Sequence, residues 1–170
     1  MAVVACVACG DDEVAEPQSV LWFGLSSTAN ARCSSINNYQ LPMGARTTIT
    51  STDGVGERAK DGGDNIIECD VRPQTGSTTN FNLGVRFSVG EIGNFVASGV
   101  VAKDTGGSLD INLVTSQFRL EQNDCTATVE QVVPGAVWID RLSCPDLRDP
   151  SSPGIICDGL GGFIFENCAH

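Results

Sequence analysis

Six widely spaced cysteines constrain the fold of this chain more than any other feature of its sequence. They are Cys33, Cys69, Cys125, Cys144, Cys157 and Cys168. No two of them form a CxxC pair or flank a histidine at the spacing of a zinc site. An even number of scattered cysteines in an acidic, glycine-rich chain is typical of disulfides formed in an oxidising compartment. We therefore expect three bridges and an extracytoplasmic protein.

The pairing of these cysteines is predicted from their layout alone, because six cysteines allow many connectivities. Cys144 and Cys157 flank one loop, whereas Cys125 and Cys168 begin and end the last group of strands. Nesting these two pairs leaves the remaining two cysteines to each other. The predicted bridges are Cys33–Cys69, Cys125–Cys168 and Cys144–Cys157.

Alternation of apolar and polar residues predicts β-strands along the chain. In FNLGVRFSV, one strand face would carry Phe81, Leu83, Val85, Phe87 and Val89. Near the end, CTATVEQVV and AVWIDRLSC flank a Pro-Gly turn and predict a hairpin. No segment predicts a helix longer than a turn or two. The pattern indicates an all-β fold, a disulfide-stapled antiparallel β-sandwich of jelly-roll type.

The acidic composition excludes some partners. The formal net charge is −11 and the sequence pI is about 4.3. Such a chain cannot neutralise phosphates, so we expect no nucleic acid partner and no attraction to anionic lipid headgroups. No stretch approaches the roughly 18 apolar residues of a transmembrane helix. We therefore expect contact with a membrane only through a lipid anchor.

Such an anchor is suggested by the opening residues, MAVVACVACGDDEVAEPQ, which change abruptly from apolar to acidic. The segment Ala8-Cys9-Gly10 and the polar residues after it resemble the cleavage region of a bacterial lipoprotein precursor, where a small residue precedes the lipidated cysteine. The resemblance implies lipidation of Cys9, with Cys6 as the alternative. A Cys6–Cys9 pair in an ordinary N-terminus is the other interpretation of this stretch.

Two further stretches carry a second resemblance. The segment DGVGERAKDGGDN with IIECDV, and the ending LSCPDL with CDGLGGFIFENC, are similar to patterns in myxobacterial-type lipoproteins that have no assigned chemistry. This resemblance implies a surface or periplasmic β-sandwich and transfers no catalytic residue. We divide the chain into a signal-like segment 1–9, an acidic tether 10–18 and one domain 19–170, with the true start expected upstream of Met1.

Catalytic side chains are scarce. His170 is the one histidine, and no G-x-S-x-G, P-loop or GxGxxG motif is present. A carboxylate-based glycoside hydrolase is the enzymatic alternative. For that reaction Glu68, Asp70 and Glu130 lie in predicted strands, where we expect them to face solvent. We expect no cofactor and a non-catalytic binding or structural module, either secreted or anchored at the surface, whose partner is an envelope protein or a glycan.

Calcium binding is one alternative for such a module. The stretch KDGGDN and a nearby residue supply oxygen ligands among glycines, which is the kind of flexible loop that Ca²⁺ prefers. The candidate ligands are Asp53, Asp61, Asp64 and Asn65. A turn that uses Asp and Gly for its backbone geometry is the more ordinary interpretation.

Carbohydrate binding is the other alternative. Sugar-binding sandwiches use exposed aromatic rings as stacking platforms, and the candidates here are Trp22, Trp138 and Tyr39. Trp138 alternates with residues of mixed polarity in its predicted strand, so its ring fits either the core or the rim of a site.

Overall fold

The described residues contain ten β-strands and no helix. The computed structural model describes residues 16–26, 33, 40–43, 59–90 and 93–170. The predicted all-β class is confirmed. The strands are β1 (Gln18–Ser26), β2 (Gln40–Met43), β3 (Ala59–Lys60), β4 (Asn65–Pro73), β5 (Asn80–Val89), β6 (Gly93–Ala102), β7 (Gly106–Val114), β8 (Arg119–Val133), β9 (Ala136–Asp149) and β10 (Ser152–Glu166).

These strands form one antiparallel sheet that curls into a half-barrel. Its order is β2-β1-β10-β9-β8-β7-β6-β5-β4, and β3 pairs with β1. From β4 to β10 each strand pairs with the next along the chain, and β1 then pairs with β10. The predicted sandwich is not confirmed, because a sandwich has two sheets and the described strands form a single continuous one.

The two clearest strand predictions are confirmed. FNLGVRFSV lies in β5, where its alternate apolar residues are buried or half-buried in the core. CTATVEQVV and AVWIDRLSC lie in β8 and β9, with Val133 opposite Ala136 across the Pro-Gly turn. Gly135 occupies this turn with a φ of +80°, a conformation that suits glycine.

Aromatic rings fill the inner face of the curled sheet. Phe23 and Phe95 have ring centroids 5.5 Å apart, and Phe95 and Phe163 are 6.0 Å apart. Phe163 in turn contacts Phe165 edge-on at 5.5 Å. A single sheet can bury an apolar face only by curling around it or packing against another layer. Here strands from both halves of the sheet meet through these rings.

Two glycines of β10 make room for this cluster. A Cβ on Gly161 would lie 2.7 Å from Cδ2 of Phe23 and against the Trp22 carbonyl oxygen. A Cβ on Gly159 would lie 2.5 Å from Cδ1 of Leu147 and against the Phe23 ring. The ring of Phe23 therefore occupies the space that side chains at these two positions would need.

The curl is closed where the segment after β10 meets β4, the strand at the far edge of the sheet. The amide of Ala169 donates to the Cys69 carbonyl at 2.9 Å, and the amide of Val71 donates to the Ala169 carbonyl at 2.9 Å. The β8–β9 turn joins this contact, because the Gly135 amide donates to the Val71 carbonyl at 3.0 Å. Residues 167–170, which we call the tail, thus connect the end of β10 with the β4 edge of the sheet.

The six cysteines form three disulfides, as expected, but the predicted pairing is wrong. Cys33–Cys69, Cys125–Cys168 and Cys144–Cys157 are each absent. The observed bridges are Cys33–Cys157, Cys69–Cys168 and Cys125–Cys144.

The observed pairing follows which chain segments are neighbours in space. Cys125 and Cys144 lie on the paired strands β8 and β9, and Cys157 lies on β10, which pairs with the strand preceding Cys33. The other bridge, Cys69–Cys168, needs the curl that brings β4 to the tail. Sequence separations of 124 and 99 residues make two of these loops long. On the chain-entropy model each long loop contributes about 4–5 kcal/mol, against about 3 kcal/mol for the short one.

The close packing of Phe23 against Gly161 predicts the effect of replacing this glycine. We expect Gly161→Ala to lower the free energy of unfolding by about 1–3 kcal/mol, because the added methyl group overpacks the core. Denaturant unfolding followed by far-UV circular dichroism measures this loss.

Gly84→Ala in β5 is the matched control, because a Cβ there meets no heavy atom within 4 Å. This change should leave stability unchanged or raise it by up to about 1 kcal/mol, since alanine loses less conformational entropy than glycine. Equal losses at positions 161 and 84 would contradict the close packing of Phe23 against β10.

Candidate binding cleft at one end of the sheet

A cleft of about 570 Å³ opens where the tail meets the β8–β9 turn. We call it the terminal cleft. Gly135 and Cys168 contribute to its wall, and the other lining residues are Gln18, Pro134, Ala136, Glu166, Asn167 and His170. Its rim is therefore rich in hydrogen-bonding side chains, with two small apolar residues between them.

Strand register brings the cleft residues together from distant parts of the chain. Gln18 starts β1 and lies opposite Glu166, near the end of β10. Asn167 then turns the chain with a φ of +58°, and its Nδ2 donates to the Glu16 carbonyl at 2.9 Å. Beyond this turn the tail reaches β4, where Ala169 bonds to Cys69 and Val71.

His170 lies against the glycine of the β8–β9 turn. Its Nδ1 is 3.3 Å from the Cys168 carbonyl oxygen. A Cβ on Gly135 would lie 3.2 Å from the same ring nitrogen, so the imidazole packs directly over this glycine. A proton on Nδ1 would be donated to that carbonyl, and Nε2 would then be the acceptor of the ring.

An apolar row adjoins the cleft on the outer face of the sheet. Val20 lies opposite Ile164, and Ile164 lies opposite Trp138. All three are buried, although none of them belongs to the main core cluster.

The structure describes two of the three aromatic residues that were predicted to stack on a sugar. Trp138 is only 9% exposed, and its buried Nε1 has no hydrogen-bond partner among the residues that the structure describes. It does not present the open ring face that a stacking platform needs. Trp22 is half-buried on β1, and Tyr39 lies outside the described residues.

The predicted calcium ligands lie in the β3–β4 turn, except Asp53, which is outside the described residues. Oδ1 of Asp61 accepts the Ile67 amide at 2.9 Å. The Asn65 carbonyl accepts the Gly62 amide at 3.0 Å, and the Asp64 carbonyl accepts the Gly90 amide. Among the residues that the structure describes, no three metal-ligating side chains come together. The calcium site stays a prediction.

The strand carboxylates considered for hydrolysis face outward. Glu68 pairs with Arg86 at 3.3 Å, and Asp70 pairs with Arg72 at 2.8 Å. Glu130 is exposed on β8. Exposed ion pairs of this kind contribute little to stability, and these carboxylates lack the contrasting environments of a general acid and a general base.

Asp149 is a carboxylate that the sequence did not single out. It is buried in the β9–β10 turn, where its Oδ1 accepts the Ser151 hydroxyl at 2.6 Å and the Ser151 amide at 2.8 Å. The Ser152 amide is a third donor at 3.2 Å. The Ser151 hydroxyl is the largest cause that holds the Asp149 pKa below its ordinary value, followed by the Ser151 amide. This carboxylate orders a turn.

The predicted lipidation sites Cys9 and Cys6 lie outside the described residues. Within the described ranges, no helix is long and apolar enough to cross a membrane. Comparison of the chain with protein-family models, with curated proteins and with solved structures finds no match. The three disulfides are consistent with an oxidising, extracytoplasmic environment.

Sequence reasoning did not predict the terminal cleft. The Pro-Gly turn and the single histidine were visible in the sequence, but nothing local indicates that they meet. Only the curl of the sheet and the pairing of β1 with β10 place Gln18, the turn and the tail side by side.

The low pKa of Asp149 predicts a specific dependence of stability on pH. Its ionised form is favoured in the fold, so its contribution is complete above the ordinary Asp pKa of about 4 and is lost as the pH falls through the lowered folded value. Asp149→Asn keeps an acceptor oxygen but cannot ionise. We expect the wild-type advantage over this variant in thermal unfolding to shrink between neutral and strongly acidic pH.

Glu130→Gln controls for the loss of one negative charge, because this side chain is exposed on a strand. Its melting temperature should follow that of the wild type across the same pH range. Parallel curves for wild type and Asp149→Asn would show that the turn does not depend on the ionised carboxylate.

Proposed function

We propose that this protein is a non-catalytic binding module of a bacterial cell envelope, anchored by a lipid on Cys9, and that it binds a neutral, hydroxyl-rich ligand such as a glycan. The terminal cleft is the observation that carries the proposal. Side chains with amide, carboxylate and imidazole groups border an open cleft of about 570 Å³, a volume within the range of small-molecule sites.

The chemistry of the cleft favours a sugar over other ligands. Gln18 and His170 offer both donors and acceptors for hydroxyl groups, and Pro134 and Ala136 offer an apolar surface for a sugar ring. The net charge of −11 disfavours polyanions. The three disulfides support an envelope location, and the lipoprotein-like residues around Cys9 support the anchor.

Titration of the isotopically labelled protein with neutral oligosaccharides tests the binding site. We expect one class among β-glucan, chitin and mannan oligomers to cause saturable chemical-shift changes at residues 134–136 and 166–170. The double variant Gln18→Ala, His170→Ala should bind about ten-fold more weakly, equivalent to 1.4 kcal/mol. Ser98→Ala, on β6 outside the cleft, should bind as the wild type does. Saturable shifts elsewhere, or none with any class, would overturn the proposal.

The anchor is tested on protein expressed in bacteria from its native gene. We expect membrane-associated protein whose first residue is Cys9 and whose mass includes acyl chains. Cys9→Ser should release the protein from the membrane fraction, whereas Cys6→Ser should not. The opposite pattern would move the anchor to Cys6, and an unprocessed N-terminus would contradict the lipoprotein assignment.

A further inference from the structure

One of the three disulfides differs from the others in where it lies. Cys125–Cys144 joins the paired strands β8 and β9, and Cys33–Cys157 joins β10 to the chain just after its neighbour β1. Cys69–Cys168 instead joins β4, an edge strand, to the tail that follows β10, and these two strands are not neighbours in the sheet. It is therefore the bridge that locks the closure of the curl.

The same bridge is the one that a reagent can approach. The four cysteines of the other two bridges are 0% exposed, whereas Cys168 is 4% exposed and Cys69 is half-buried. Cys168 also lines the terminal cleft. Because thiol–disulfide exchange requires a thiolate to reach a sulfur atom, access separates this bridge from its neighbours.

Few other contacts hold the tail on β4. The Ala169 amide and carbonyl make the two hydrogen bonds to Cys69 and Val71, and the Cys168 amide donates to the Gly135 carbonyl at 2.9 Å. The tail forms one isolated parallel bridge to β4, between Ala169 and Asp70, and not a continuous ladder. Among the described residues, these bonds hold residues 168 and 169 on β4 and the β8–β9 turn once the covalent link is open.

We propose that Cys69–Cys168 is a thiol–disulfide exchange site at which an external dithiol opens the sheet closure while the other two bridges stay intact. A thiolate of the dithiol attacks one sulfur of the bridge, forms a mixed disulfide and expels the other cysteine as a thiolate. The second thiol of the reductant then displaces the protein cysteine. Two electrons pass from the dithiol, which becomes a disulfide, to the protein, which gains two thiols after protonation.

Opening the bridge uncovers the edge of β4. The Cys69 carbonyl and the Val71 amide lose their partners in the tail and become free to pair with another extended chain. The terminal cleft also loses the wall that Cys168 and His170 provide. This second consequence rests on the proposed function, whereas the exchange reaction itself does not.

Timed reduction of the native, oxidised full chain tests the exchange site. Dithiothreitol is added at neutral pH, samples are quenched with acid, free thiols are alkylated, and peptides are quantified by mass spectrometry, with Cys6 and Cys9 followed separately. We expect Cys69 and Cys168 to become labelled together, about ten-fold sooner than the other four cysteines. Labelling of another bridge first, or of all three at one rate, would overturn the proposal.

A variant that lacks the bridge tests the release of the tail. In Cys69→Ser, Cys168→Ser we expect the amides of Val71 and Ala169 to exchange with deuterium about ten-fold faster than in the wild type, with an unchanged circular dichroism spectrum. In Cys125→Ser, Cys144→Ser the exchange at these two amides should stay at the wild-type rate. Unchanged exchange in the first variant would contradict release of the tail. If either variant fails to fold, the labelling rates of the six cysteines in the wild-type protein still test whether Cys69–Cys168 is the exchange site.

Discussion

The contact between β4 and the tail is the constraint on which the rest of this structure depends. The strands from β4 to β10 follow one another as hairpins, so each needs only its neighbour in sequence. Their shared apolar face still has to be removed from water, and a flat sheet cannot do this alone. Fixing Cys69 to Cys168 holds the far edge against the end of β10 and keeps the sheet curled around its aromatic rings.

The same closure creates the cleft that we assign to ligand binding. Gln18 and Glu166 reach it through the β1–β10 register, and the β8–β9 turn reaches it because Gly135 is bonded both to β4 and to the tail. The proposed binding site and the closure of the sheet thus share the residues around Cys168. A change that frees the tail would alter the cleft, while the other two disulfides still hold β8 to β9 and β10 to the chain after β1.

The features that the sequence predicts correctly are those that residues close together in the chain determine. The alternation from Phe81 to Val89 identifies a strand and its inner face, and the Pro-Gly turn identifies the β8–β9 hairpin. The even cysteine count predicts three bridges. These features depend on side-chain periodicity and turn geometry, which a short stretch of sequence carries by itself.

The features that the sequence does not predict depend on contacts between distant residues. The bridge between Cys33 and Cys157 spans 124 residues. A prediction that pairs cysteines by nesting the loops along the chain does not identify it. Trp138 has a mixed pattern around it, and only the register with Ile164 shows that its ring belongs to a buried outer row. The terminal cleft likewise exists only after β1 pairs with β10.

Peptide mapping of the oxidised protein without reduction tests the closure of the sheet most directly. Proteolysis followed by mass spectrometry should recover cross-linked peptides that contain Cys69 with Cys168, Cys33 with Cys157 and Cys125 with Cys144. That result would show that β4 meets the tail in solution. Recovery of Cys33 with Cys69 and Cys125 with Cys168 would contradict the curled sheet and the cleft built on it.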